Sequence, residues 1–136
     1  MKKELTVSTS VEKMDEILDF VNTYLEEMDC PMKVQTQLDI AIDELFSNIC
    51  YYAYGGKAGE AMIVIDSLSD PHGVTLTFID SGVPYNPLEK EDPDVNLGVN
   101  ERQIGGLGIF IVKKTMDDIS YVYEDNKNKL TIKKYF

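Results

Sequence analysis

Apolar residues recur along this chain with two different periods, and the switches between them mark out the elements. In "KKELTVST" Leu5 and Val7 alternate with polar neighbours, which predicts a short strand. Thr9-Ser10-Val11-Glu12 then has capping-box spacing, and Val11, Met14, Leu18, Val21, Leu25 and Met28 follow at steps of three and four. An amphipathic helix with that stripe on the core is expected. Pro31 suits the first turn of a second helix, where its missing N–H removes no bond. Val34, Leu38, Ala41, Ile42, Leu45 and Ile49 form the apolar stripe of that helix, which runs to the glycine-rich stop "AYGGKAG". "EAMIVIDSL" and "GVTLTFID" are rich in β-formers and joined by "SDPHG", so they read as a hairpin.

After Asp80 the periodicity vanishes. From Ser81 to about Ile104, Gly82, Pro84, Pro87, Pro93 and Gly98 interrupt any element, and a loop of about two dozen residues inside a compact domain reads as a functional lid. "GGLGIFIVKKTMD" restarts order as a glycine-rich entry into an apolar helix. "ISYVYED" and "KLTIKKYF" close the chain as a second hairpin, turning at Asn126 to Asn128. The expected order is therefore β α α β β, lid, α β β, in one domain over residues 1–136. Antiparallel hairpins favour an α+β fold with helices on one face of the sheet over a doubly wound one.

Composition narrows the function. A formal net charge of −11 argues against a sequence-independent grip on nucleic acid, which needs a basic face. Cys30 and Cys50 form no CxxC pair and read as reduced structural thiols. "MKKELTVSTS" has no apolar signal core, and no apolar run approaches the ~20 residues of a membrane span, so a cytoplasmic protein is expected. His72 is the only histidine and falls in a hairpin turn, which leaves no basis for a Ser-His-Asp triad or a histidine metal site.

Three segments carry chemistry when taken together. Glu44 and Asn48, at i and i+4, lie on one helix face about 5–6 Å apart, so an amide oxygen can bind a hard cation beside a carboxylate that takes a proton. Asp80 ends an apolar strand and is followed by Gly82. A carboxylate at that place can accept from an exocyclic amino group such as adenine's, while the glycine lets a ring approach the backbone. Gly105, Gly106 and Gly108 open a helix whose free N–H groups can bind phosphate.

The order E-x-x-x-N on a helix, D-x-G after a strand, a lid, then G-G-x-G opening a helix resembles the GHKL ATP-binding fold of gyrase-type ATPases, histidine kinases and heat-shock chaperones. Within it, the chain is similar to the single-domain anti-sigma factor serine/threonine kinases of bacterial partner switching. "DELFSNICYYAY" stands at the N box, "IDSGVPYNP" at the D-x-G-x-x-[FY]-[ND]-P box, "GGLGIFIVKKTMDDISY" at the last glycine box and "NKLTIKKY" at the final strand. The resemblance implies a two-layer α/β sandwich of the Bergerat type, its mixed, mostly antiparallel sheet covered on one face by helices, with an ATP lid at about 81–104. It also implies Glu44 as general base, Asn48 as protein ligand of a Mg²⁺ that bridges the ATP phosphates, and Asp80 as receptor of the adenine amino group, with Gly82 beside it and Thr131 assisting through a water. Gly105, Gly106 and Gly108 would wrap the phosphates, with Leu107 as spacer.

Two departures stand out. Where the family often has His followed by Ala or Gly and Tyr, this chain has Tyr52-Ala53-Tyr54. Where some members place an arginine on the terminal phosphate just before the glycine box, this chain has Ile104, with Arg102 a little upstream. The expected function is an ATP- and Mg²⁺-dependent serine/threonine kinase acting on a STAS-domain anti-anti-sigma partner, sequestering a sigma factor or another regulator in turn. A nucleotide-gated binding switch with little or no kinase activity is the alternative. The resemblance extends to a homodimer; the catalytic half of a histidine kinase is disfavoured, since His72 lies in the wrong element.

Overall fold

The structure is a computed structural model that describes residues 1–89 and 106–136. Strand β1 (Lys3–Ser8) leads through a short 3₁₀ turn into helix α1 (Met14–Glu27), and helix α2 (Met32–Asn48) follows. The hairpin β2 (Glu60–Ser69) and β3 (His72–Asp80) precedes the segment expected to be the lid, most of which lies outside the described residues. Helix α3 (Gly106–Thr115) and the hairpin β4 (Asp118–Glu124) and β5 (Lys127–Tyr135) complete the chain. This is the expected order. Among the described residues no helix is long and apolar enough to cross a membrane.

The five strands form one sheet in the order β1-β2-β3-β5-β4. Among the described residues every pairing is antiparallel, without the parallel pair that the expected mixed, mostly antiparallel sheet would contain. Each described connection between neighbouring strands of a hairpin is tight, and β5 inserts between β3 and β4 by pairing on both sides. Strand alternation turns Val7, Ala61, Ile63, Ile65, Val74, Leu76, Phe78, Leu130 and Ile132 toward the helices, where all are buried. Against them pack Ile17, Val21 and Leu25 of α1, Leu38, Ala41, Ile42, Leu45 and Phe46 of α2, and Ile109 and Val112 of α3. Helix α2 lies between the other two helices and touches both.

The buried stripe of α1 is rotated from the expected one. Ile17 and Tyr24 are buried, whereas Val11 is 48% exposed and Met14 and Leu18 are only partly covered. The reason is local: Ser10, not Thr9, caps the chain's entry, accepting from the Glu12 N–H, and Val11 sits in the 3₁₀ turn outside α1. Thr9 instead accepts from the Gly59 N–H at 3.0 Å, tying the end of β1 to the start of β2. His72, expected in the hairpin turn, is the first residue of β3, directly after the Asp70-Pro71 turn, and meets Phe136 edge-on.

Candidate functional site

The candidate residues gather at one end of the sheet, where β3 ends, β5 begins, α2 ends and α3 begins. Helix α2 ends in a π-helical turn, Ile49–Ala53, that directly follows Asn48. This widened turn delivers the Ala53 carbonyl to the loop after β3, where it accepts from the Val83 N–H at 2.7 Å. Gly82 is required at that crossing: a Cβ there would lie 2.0 Å from the Ala53 oxygen and 2.4 Å from its carbonyl carbon, both backbone atoms. Tyr54 fastens the same loop, accepting from the Ser81 N–H at 2.9 Å and donating to the Glu60 carbonyl at 2.6 Å. Tyr52, which occupies the place of the family histidine, is half exposed and pairs with Tyr85, ring centroids 5.0 Å apart.

Asp80 is 6% exposed at the end of β3. Its Oδ1 accepts from the Gly82 N–H at 2.9 Å and from Asn128 Nδ2 at 2.9 Å. Among the described residues its Oδ2 accepts no hydrogen bond. A cavity of about 30 Å³ opens beside it, lined by Leu45, Ile49, Phe78 and Leu130 on the apolar side, with Asn48, Asp80, Tyr85, Tyr121 and Asn128 supplying its polar groups. Burial, the first cause, and the nearby Asp80 charge push the Tyr121 hydroxyl above its ordinary value. Tyr121 therefore stays a neutral donor.

Glu44 and Asn48 meet on the expected face of α2, Asn48 Nδ2 donating to Glu44 Oε1 at 3.5 Å. Helix α3 brings Gly108 onto that carboxylate: a Cβ on Gly108 would lie 2.1 Å from Glu44 Oε2. A carboxylate over the first turn of a helix gains from the N–H groups and the dipole there. Asn48 also lines the cavity that Asp80 borders, so the amide of the pair reaches both places. Gly106 and Leu107 form the first turn of α3. Gly105 and Arg102 lie outside the described residues.

Thr131 is not brought to the site. It falls between inward-facing Leu130 and Ile132, so it points to the opposite face of the sheet, where its hydroxyl bonds Thr77 at 3.0 Å. Asn128 takes the place expected of it. The register pairs Asn128 with Asp80 across β3 and β5, and the same parity that buries Leu130 and Ile132 turns Asn128 inward, 5% exposed. The expected turn at Asn126 to Asn128 hides it in the sequence. Asp125 and Asn126, both at positive φ (54° and 60°), form a two-residue turn, which leaves Asn128 in the strand. The "DN" pair was the signal for it.

Residues 7–134 match the family described as histidine kinase-like ATPase domain. The serine-protein kinase RsbW of Bacillus mycoides is 31% identical over 100 residues, covering 71% of this chain and 61% of that protein. RsbW of a Bacillus cereus strain is 32% identical over the same length and shares. The anti-sigma F factor of Bacillus licheniformis is 25% identical over 122 residues, covering 88% of this chain and 83% of that protein. The chain thus spans about three-fifths of the length of the serine-protein kinases it matches, 61%.

Proposed function

The chain belongs to the histidine kinase-like ATPase domain family, and from that premise we propose that it is an ATP-dependent serine/threonine protein kinase of the anti-sigma type. Its proposed substrate is a Ser or Thr hydroxyl on a STAS-domain anti-anti-sigma protein in the cytoplasm. A sigma factor, or another regulator, is the partner it holds and releases in turn, as a homodimer. The names of its relatives, serine-protein kinase and anti-sigma factor, support both halves of this reading.

One observation carries it. Glu44 meets Asn48 and Gly108 of α3, and Asn48 lines the pocket that Asp80 also lines, where among the described residues one Asp80 carboxylate oxygen accepts no hydrogen bond. Phosphoryl transfer asks the protein mainly for positioning and charge neutralisation, and this arrangement divides those tasks. Asp80 Oδ2 receives the adenine amino group, and Phe78, Leu45 and Leu130 flank the ring. The amides at the start of α3 take the phosphates, with Gly105, Gly106 and Gly108 leaving the backbone open to them and Leu107 as spacer, and Arg102 is the proposed lid contact to the terminal phosphate. Glu44 accepts the proton of the attacking hydroxyl.

The donor set also suits Mg²⁺ carried in with the nucleotide. Among the described residues no group of three His, Cys, Asp or Glu could hold a metal, and Mg²⁺ in such sites takes most of its oxygens from phosphate and water. Asn48 would hold it, and the ion would neutralise charge on the phosphates.

The position of Arg102, three residues ahead of Gly105 and not adjacent, favours a second reading: a nucleotide-gated binding switch that transfers phosphate poorly. Glu44→Ala separates the two. Under the kinase reading the variant loses phosphorylation of the STAS protein while still binding ATP and partner. A regulatory readout unchanged by Glu44→Ala would establish the switch instead.

A further inference from the structure

Asn128 is buried and uses its whole hydrogen-bonding capacity on the base pocket. Its Nδ2 donates to Asp80 Oδ1 at 2.9 Å and to the Val83 carbonyl at 2.9 Å, with a longer approach to the Gly82 carbonyl at 3.5 Å. Its Oδ1 accepts from the Tyr85 N–H at 3.0 Å and from the Tyr121 hydroxyl. The orientation of the amide is set by this chemistry, because a flipped amide would put oxygen against the Asp80 carboxylate and the Val83 carbonyl, and NH₂ against the Tyr85 N–H. One side chain thereby joins β3, the loop after it, β4 and β5 around a single cavity.

We infer that Asn128 is a positioning residue that sets base selectivity, by holding Asp80 so that one acceptor oxygen alone faces the pocket; this rests on the nucleotide-binding reading above. Two donors, the Gly82 N–H and Asn128 Nδ2, converge on Asp80 Oδ1. Rotating the carboxylate would break both bonds in a buried place, where unmade hydrogen bonds are costly. A ligand therefore meets Oδ2. An ionised acceptor there attracts the 6-amino group of adenine and repels the 6-oxo group of guanine, the polar mismatch that discriminates most strongly between similar ligands. Asn128 has no donor or acceptor left for the base and acts only through Asp80. Without it, Asp80 Oδ1 loses one of its two donors and the carboxylate can turn and admit water.

The test is equilibrium binding of ATP and of GTP, by titration calorimetry, to the wild-type chain, Asn128→Ala and Tyr121→Phe, each checked for folding by circular dichroism. Wild type is expected to prefer ATP. Asn128→Ala should cut the ATP-to-GTP affinity ratio by about tenfold or more, the effect of one buried charge-assisted bond, chiefly through loss of ATP affinity. Tyr121→Phe removes one of the two donors to Asn128 Oδ1 and leaves the Asp80 bond in place, so its ratio should fall less, by roughly two- to fivefold. Equal losses for both nucleotides, or an unchanged ratio, in the folded variants would overturn the inference; if Asn128→Ala does not fold, Tyr121→Phe decides on the same criterion. A wild-type chain that binds ATP and GTP equally overturns it alone. One that binds neither overturns the nucleotide-binding reading and the inference with it.

Discussion

Replacing Gly108 with alanine should separate stability from catalysis. The added Cβ would stand 2.1 Å from Glu44 Oε2, 2.3 Å from Cδ and 2.8 Å from Oε1, well inside contact distance. What it meets is the end of a flexible, half-buried side chain and not backbone, so Glu44 swings aside at little cost to the fold. Gly108 also lies inside α3 (Gly106–Thr115), where alanine is worth about 1 kcal/mol over glycine. Thermal unfolding should therefore move little, or rise by on the order of 3 °C. Phosphorylation of the STAS partner should fall about 100-fold or more, because the displaced carboxylate is the proposed general base and such groups contribute at least that much. Unfolding followed by calorimetry and single-turnover phosphorylation measure the two sides. Retention of transfer within about threefold would refute the reasoning, as would a loss of more than ~2 kcal/mol of stability with transfer intact.

Gly82→Ala should behave in the opposite way. Its Cβ would meet the Ala53 carbonyl, backbone already bonded to Val83, so we expect a loss of about 3 kcal/mol in urea unfolding. Thr131→Val removes the 3.0 Å bond to Thr77 on the far side of the sheet and should cost about 1 kcal/mol with ATP affinity unchanged in titration calorimetry; a severalfold loss of affinity would return Thr131 to the site. Alkaline pH should destabilise the fold. Burial raises the Cys30 and Cys50 thiols above their ordinary value of 9.0, and burial first and then the Asp80 charge raise the Tyr121 hydroxyl above 10.0. The unfolded chain releases those protons first, so the urea midpoint should hold below about pH 9 and decline as pH rises above the ordinary thiol and phenol values.

The sequence carried the architecture because its two periods are clean: strands alternate, and α2 repeats Val34, Leu38, Ala41, Ile42 and Leu45 without interruption. Glu44, Asn48, Asp80, Gly82, Gly106 and Gly108 stand out in it as candidates because each combines an unusual residue type with a fixed spacing. Features set by three-dimensional packing were less legible. Whether Val11 or Ile17 faces the core depends on which of two adjacent hydroxyl residues caps the turn, and both give a helical stripe. Thr131 is expected from the family resemblance alone; it and Asn128 differ by an odd number of positions and so lie on opposite faces of β5, and only the register with β3 shows which of them faces Asp80. The π-helical turn at Ile49–Ala53 has no periodic signature at all, yet it brings Ala53 to Gly82 and Tyr52 to Tyr85. It gives the family's histidine position a local role: an exposed aromatic packed on the loop after β3.

The central claim is that this site moves the terminal phosphate of ATP to a protein hydroxyl. Incubating the chain with γ-labelled ATP, Mg²⁺ and an anti-anti-sigma protein of the STAS class from the same organism tests it most directly. Label on a Ser or Thr of that protein is the expected result. ATP bound with no label transferred would contradict it.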